Sequence, residues 1–144
     1  MARTVEVVEM AVKIRIKGRG VYPGCVEAEA LVSKMPLMGF ANVRPMEGYT
    51  VERRHPLFKV PYTDKVLVFP APRGSGGFMM YGFGAKPAAF LYNHATPLTV
   101  LCALQAHVPS MTDFERDPME VIETGDMVLV NATEGYIEVT KQAK

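Results

Sequence analysis

Apolar and polar residues alternate from Val12 to Lys17, with Val12, Ile14 and Ile16 on one face and Lys13, Arg15 and Lys17 on the other. A period of two is the mark of a half-exposed strand. Residues 26–33 repeat it: Val26, Ala28, Ala30 and Val32 oppose Glu27, Glu29 and Leu31, which predicts a second strand. From residue 34 to residue 64 the periodicity dissolves among Pro, Gly and isolated aromatics. This segment reads as an irregular excursion with short strands at most, and a loop of that length is either mobile or functional.

Periodicity returns as continuous apolar runs. Residues 65–69 (KVLVF) and 88–93 (AAFLYN) have the composition of strands covered on both faces. About eighteen residues separate them, enough for a short crossover helix in a β-α-β unit, which makes the two strands parallel neighbours. Thr96 then stands as an N-cap before Pro97 at the first helical position. The apolar positions 98, 100, 101, 103, 104 and 108 predict a helix packed on a sheet, ended by Pro109. The chain closes with MVLVN and YIEVT around ATEG, a hairpin signal. The pattern as a whole predicts an α/β domain with a mixed sheet, helices packed on it and a C-terminal β-hairpin, spanning residues 1–144 without an internal repeat or linker.

At 144 residues the chain can bury roughly 68–70% of its unfolded surface, so a full core is within reach without staples. Sixteen basic residues against fifteen acidic ones are dispersed along the chain, which disfavours a nucleic-acid groove or an anionic membrane as partner. No run approaches the eighteen or so apolar residues of a membrane-spanning helix, and the first residues lack the apolar core of a signal peptide. The expected location is the cytoplasm.

The chemistry concentrates where residues 65–69 empty into Ala71-Pro72-Arg73-Gly74-Ser75-Gly76-Gly77. In open α/β sheets, ligands gather beyond the carboxyl ends of the strands, where a glycine-rich turn can direct several backbone N–H groups at one anion. Gly74, Gly76 and Gly77 would supply such donors beside Arg73. An alkoxide on Ser75 would be stabilised there, so the hydroxyl could act as a base towards carbon. The same residues also suit a solvent-facing turn in which the glycines provide positive φ and the serine is incidental.

Longer stretches favour the first reading. GRG at 18–20, GCVEAEALVSKMPL at 24–37, HPLFKVPYTDKVLVFPAPRGSGG at 55–77, KPAAFLYNHATPLTVLCAL at 86–104 and DPMEVIETGDMVLVNATEGYIEV at 117–139 together resemble the small subunit, or swivelling domain, of the aconitase X family. The resemblance implies a swivelling β/β/α fold and half of a hydro-lyase. It implies a larger partner that holds an iron–sulfur cluster or iron on its own cysteines, while the serine of the RGS turn, Ser75 here, removes the proton as water leaves a small hydroxy acid. Family activities are dehydration of cis-3-hydroxy-L-proline and of mevalonate 5-phosphate. The alternative on the same fold is a non-catalytic interaction or regulatory domain that binds a small anion or a protein partner.

The chain departs from the family pattern in two places. The turn continues as Gly76-Gly77 and then FMMYGF, where relatives carry further hydroxyls, and residues 40–45 read FANVRP, which places Arg44 where relatives carry an acid. If the excursion touches substrate, the second change favours an anion. Residues 78–83 read as core or as a docking surface. Cys25, expected in a loop, and Cys102, expected inside the helix, cannot between them supply the three thiolates of an aconitase-type cluster, so no metal or cofactor is assigned to this chain. His55, His94 and His107 lack paired metal-ligand spacing, and His55 is the one whose loop could approach the turn. Arg53 and Arg54 read as a solvated pair, and the sequon Asn131-Ala132-Thr133 has no meaning without secretion.

Overall fold

The computed structural model describes residues 11–39, 42–73 and 76–142. In chain order the strands are β1 (Ala11–Lys17), β2 (Arg19–Tyr22), β3 (Cys25–Val32), β4 (Leu37–Met38), β5 (Val43–Arg44) and β6 (Tyr49–Thr50). They continue as β7 (Val66–Phe69), β8 (Pro72–Arg73), β9 (Ala89–Tyr92), β10 (Ser110–Thr112), β11 (Met127–Asn131) and β12 (Tyr136–Gln142). Eight of them form one curled sheet in the order β1-β12-β11-β3-β7-β9-β10-β2. Its centre is parallel, β3 to β7, β7 to β9 and β9 to β10, and its flanks are antiparallel. The expected mixed α/β sheet with parallel neighbours at residues 65–69 and 88–93 is therefore present.

β7 and β9 explain why their sequences lack alternation. All four residues of each are buried, and successive side chains enter different cores. Val66, Val68, Ala89 and Leu91 join Ile16, Ala30, Val128, Val130, Ile137 and Val139 under the curl of the sheet. Leu67, Phe69, Phe90 and Tyr92 join Leu31, Phe78, Tyr81 and Cys102 on the other side. Each such large apolar side chain contributes about 1.5–3 kcal/mol on burial. The alternation in β3 is resolved the same way, since Ala30 enters the first cluster and Leu31 the second.

The crossover from β7 to β9 is not the short α-helix expected from its length. It contains a seven-residue 3₁₀ segment, Gly76–Gly82, followed by a bend. Glycines at its start and end disfavour a longer α-helix, and Phe78 and Tyr81 anchor it to the second core. Residues 78–83 are therefore mostly core: Phe78 and Tyr81 are buried, and only Phe83 is well exposed.

Helix α1 (Pro97–Ala106) starts as its sequence requires, with the Thr96 side chain accepting from the Leu98 N–H and a reciprocal capping box through Thr99. It ends on His107 in the left-handed region at φ 56°, whose N–H donates to Ala103 O, before Pro109 blocks continuation. Its packing face differs from the expected one. Thr99, Cys102, Ala103 and Ala106 face inward, whereas Val100, Leu101 and Leu104 point to solvent. The cause is steric: a Cβ at Gly82 would stand 3.2 Å from Cys102 O and 3.3 Å from Ala106 Cβ, so only small residues fit between α1 and the 3₁₀ segment.

The excursion holds the two-residue strands β4, β5 and β6, with β4 parallel to β8 and β5 antiparallel to β6. A second helix, α2 (Pro118–Val121), is capped by Asp117 and supplies Val121 to the first core. The C-terminal hairpin β11–β12 closes at Asn131 and Tyr136 with Gly135 at φ 85°, as its turn sequence predicts.

The second core carries a pH signature. Burial pushes the Cys102 thiol from 9.0 up to about 12 and, as the largest cause, also raises the phenols of Tyr62, Tyr81 and Tyr92. The folded protein keeps protons that the unfolded chain releases above the ordinary thiol and phenol range, so this part of the stability is complete below about pH 9 and lost as pH rises towards about 12. Urea midpoints should fall progressively between about pH 9 and about pH 12. A midpoint that stays constant over that range would contradict the burial of these groups.

Candidate functional site

The four parallel strands share one carboxyl edge, and the exit of β7 is fastened from both sides. On the β9 side, Asn93 N and His94 N both donate to Pro70 O, at 3.1 and 3.0 Å. On the β3 side, Ser33 N donates to Val68 O at 2.8 Å, and Leu37 N donates to Ala71 O at 3.2 Å. β8 then runs parallel to β4, with Pro72 opposite Leu37 and Arg73 opposite Met38. The backbone is thus held in register up to the last residue before the glycine-rich turn.

Of the predicted site residues, Arg73 lies at the end of β8, and Gly76 and Gly77 open the 3₁₀ segment. Gly74 and Ser75 lie outside the described residues. Arg73 is engaged by a residue to which sequence reasoning assigned no role: its Nη2 donates to Glu52 Oε1 at 2.6 Å. The other carboxylate oxygen, Oε2, is buried and has no hydrogen-bond partner among the described residues. Nothing in the local sequence marks Glu52, which stands beside Arg53 and Arg54 in the unpatterned excursion; those two arginines are exposed.

The downstream side of the turn is tied to the same excursion. Tyr81, in the 3₁₀ segment, donates its hydroxyl to Met38 O at 2.9 Å. Its phenol is raised first by burial and then by Tyr62, with Thr50 lowering it and Glu52 raising it further. β4 therefore holds both flanks of the turn, Arg73 through backbone pairing and Tyr81 through a side-chain bond.

His55 is the buried pin of this excursion. The Leu57 N–H donates to His55 Nδ1 at 3.0 Å, which leaves the ring proton on Nε2, facing Pro36 O at 3.2 Å and Ser33 Oγ at 3.3 Å. Ser33 Oγ in turn donates to Met35 O at 2.6 Å. The His55 loop does approach the turn, but the residue that reaches it is Glu52. His107 caps α1 and its Nδ1 meets Tyr22 OH at 2.8 Å. His94 is exposed at the exit of β9, where it lines an open pocket of about 340 Å³ with Asn93, Asp113, Arg116 and Asp117. Arg44 is exposed in β5.

Among the described residues, no group of three His, Cys, Asp or Glu side chains is placed to hold a metal ion. Cys25 is exposed as the first residue of β3, not in a loop, whereas Cys102 is buried in α1 as expected. A thiol whose pKa burial holds at about 12 is a poor source of the thiolate that iron requires, so this pair does not fit an iron centre. The sequon residues serve the hairpin turn: Asn131 Oδ1 accepts from Glu134 N at 3.0 Å, and Thr133 Oγ1 accepts from Gly24 N at 2.9 Å. No described helix is long and apolar enough to cross a membrane.

Residues 15–139 match the family described as the aconitase X swivel domain. The phosphomevalonate dehydratase small subunit of Methanosarcina mazei is 38% identical over 138 residues, covering 92% of this chain and 96% of the relative. Its counterpart from Methanosarcina acetivorans is 38% identical over 135 residues, covering 90% and 94%. The crystal structure of Thermococcus kodakaraensis aconitase X in its holo form shares the fold, with a TM-score of 0.79 at 24% identity over 89% of this chain and 99% of that one.

The two thiols differ enough in exposure to be counted separately. A disulfide reagent such as Ellman's should titrate one thiol per folded chain, Cys25, and release the second, Cys102, only on denaturation. Rapid reaction of both in the native protein would show that α1 does not pack on the 3₁₀ segment as described.

Proposed function

The chain belongs to the aconitase X swivel-domain family, and from that premise we propose that it is the small subunit of a dehydratase acting on a phosphorylated hydroxy acid of the mevalonate 5-phosphate kind. The observation that supports this reading is the position of Arg73, which follows a strand buried on both faces out at the carboxyl edge of the parallel sheet, with the backbone of residues 70–73 held in register. Similarity to small subunits of phosphomevalonate dehydratase over nearly the full length of both chains supports the substrate class.

In this reading Ser75 is the base. Its alkoxide takes the proton from the carbon beside the carboxylate, the C–H electron pair becomes the new double bond, and the hydroxyl on the next carbon leaves with the C–O pair as hydroxide; that hydroxide takes up one proton to become water, and Ser75 gives up the one it gained, which restores the alkoxide. Backbone N–H groups contributed by Gly74, Gly76 and Gly77 lower the hydroxyl's pKa by stabilising its charged form. Arg73 spends one N–H on Glu52 and retains others for an anionic group of the substrate. The iron–sulfur cluster or iron expected of the family is assigned to a larger partner chain, since the two cysteines of this chain do not fit one.

Co-expression with the larger chain should yield an assembly that dehydrates mevalonate 5-phosphate, with cis-3-hydroxy-L-proline as the comparison substrate. Ser75→Ala should lower kcat by about 10²–10⁴-fold, the range for loss of a general base, while the two chains still co-purify. Full activity in Ser75→Ala would remove the serine from the chemistry. Turnover of hydroxyproline in preference to the phosphorylated acid would overturn the substrate class.

A further inference from the structure

Arg73 is the last described residue before the turn, and only one contact among the described residues orients its charged end. That contact comes from Glu52, 21 residues away in the excursion, at 2.6 Å. The carboxylate is itself held at the backbone: Glu52 N donates to Thr50 Oγ1 at 3.3 Å, and Glu52 O accepts from His55 N at 3.0 Å. Thr50 Oγ1 donates to Asn42 O at 2.6 Å, and His55 is buried with its ring bonded on both nitrogens. Glu52 is thus a charged group on a rigid mount, with a partner on Oε1 and none among the described residues on the buried Oε2.

We propose that Glu52 is a positioning residue for the site: it fixes the direction of the Arg73 guanidinium, and through it the entry of the turn, so that the unused N–H donors of Arg73 face the substrate anion. Three features support this role over that of a surface ion pair. The Glu52 side chain is only 21% exposed. The guanidinium has five donors in a planar fork, so one short bond to a fixed carboxylate sets the orientation of the rest. The excursion also holds Tyr81 through Met38 O, so Glu52 at Arg73 gives it a grip on both described flanks of the turn.

The kinetic arm of the test rests on the proposed dehydratase reading. In the two-chain assembly, Glu52→Ala should raise KM for the acid substrate and lower kcat/KM by about tenfold to a hundredfold, a loss typical of a misplaced binding group. Glu52→Gln, which keeps an acceptor oxygen, should recover part of the loss. Because Glu52 acts through Arg73, adding Glu52→Ala to Arg73→Ala should cost less than about twofold more. Multiplying losses, or wild-type kcat/KM in Glu52→Ala, would overturn the role.

A second arm is independent of activity. In the isolated chain, Glu52→Gln should shift the Arg73 side-chain NH resonance and the amides of residues 72–77, with the C-terminal hairpin unchanged. If the wild-type assembly dehydrates no hydroxy acid, the functional reading fails, and these resonances alone judge Glu52: an unperturbed Arg73 overturns the inference.

Discussion

The structure depends on β7 having no exposed face. Its four residues send Val66 and Val68 into one core and Leu67 and Phe69 into the other, so the strand can neither slide nor rotate without exposing large apolar groups on one side. A one-residue slip would exchange the two sets of side chains, placing Phe69 in the space shaped for Val68. The end of β7 is therefore among the best-determined points in the molecule, and the Arg73–Gly77 turn begins four residues beyond it. Pro70 O and Ala71 O are both engaged on the way, so the exit is secured by hydrogen bonds as well as by packing.

The excursion carries that rigidity to the flanks of the candidate site. Backbone groups in such a segment must find partners to be buried, and here many do so through a few side chains. His55 satisfies the Leu57 N–H and faces Pro36 O, Ser33 reaches Met35 O, and Thr50 holds Asn42 O. Every one of these bonds links the excursion to itself or to the end of β3. The segment behaves as a bracket around the turn, gripping one flank at Arg73 and the other at Tyr81.

The same economy explains the division of labour in the proposed function. A domain with two thiols in unlike environments is poorly suited to build an iron centre, and in the proposed function it would contribute one hydroxyl and one arginine instead. In the proposed function, the chemistry that needs iron would belong to a partner chain able to bring several thiolates together. With a formal charge of +1, this chain has little long-range field, so anion selectivity would be set locally by Arg73 and its neighbours.

Short-range physics made much of the fold legible. Alternation along β1 and β3, the double-sided apolar runs of β7 and β9, the Thr96–Pro97 start of α1 and the Gly135 turn all follow from steric and solvation rules that act within a few residues. The glycine-rich stretch after β7 stands out in the sequence because its residue types are unusual where they stand. Which face of α1 packs was not legible: Leu101 and Leu104 face outward because Gly82, far away in sequence, approaches too closely for anything larger than Cys102 or Ala106. Nor was Glu52, an ordinary acid between a valine and an arginine until β4 pairs with β8 and brings the excursion over Arg73. Pairings across 20 or more residues depend on the closure of the whole sheet, and no local pattern encodes the partner of a single charge.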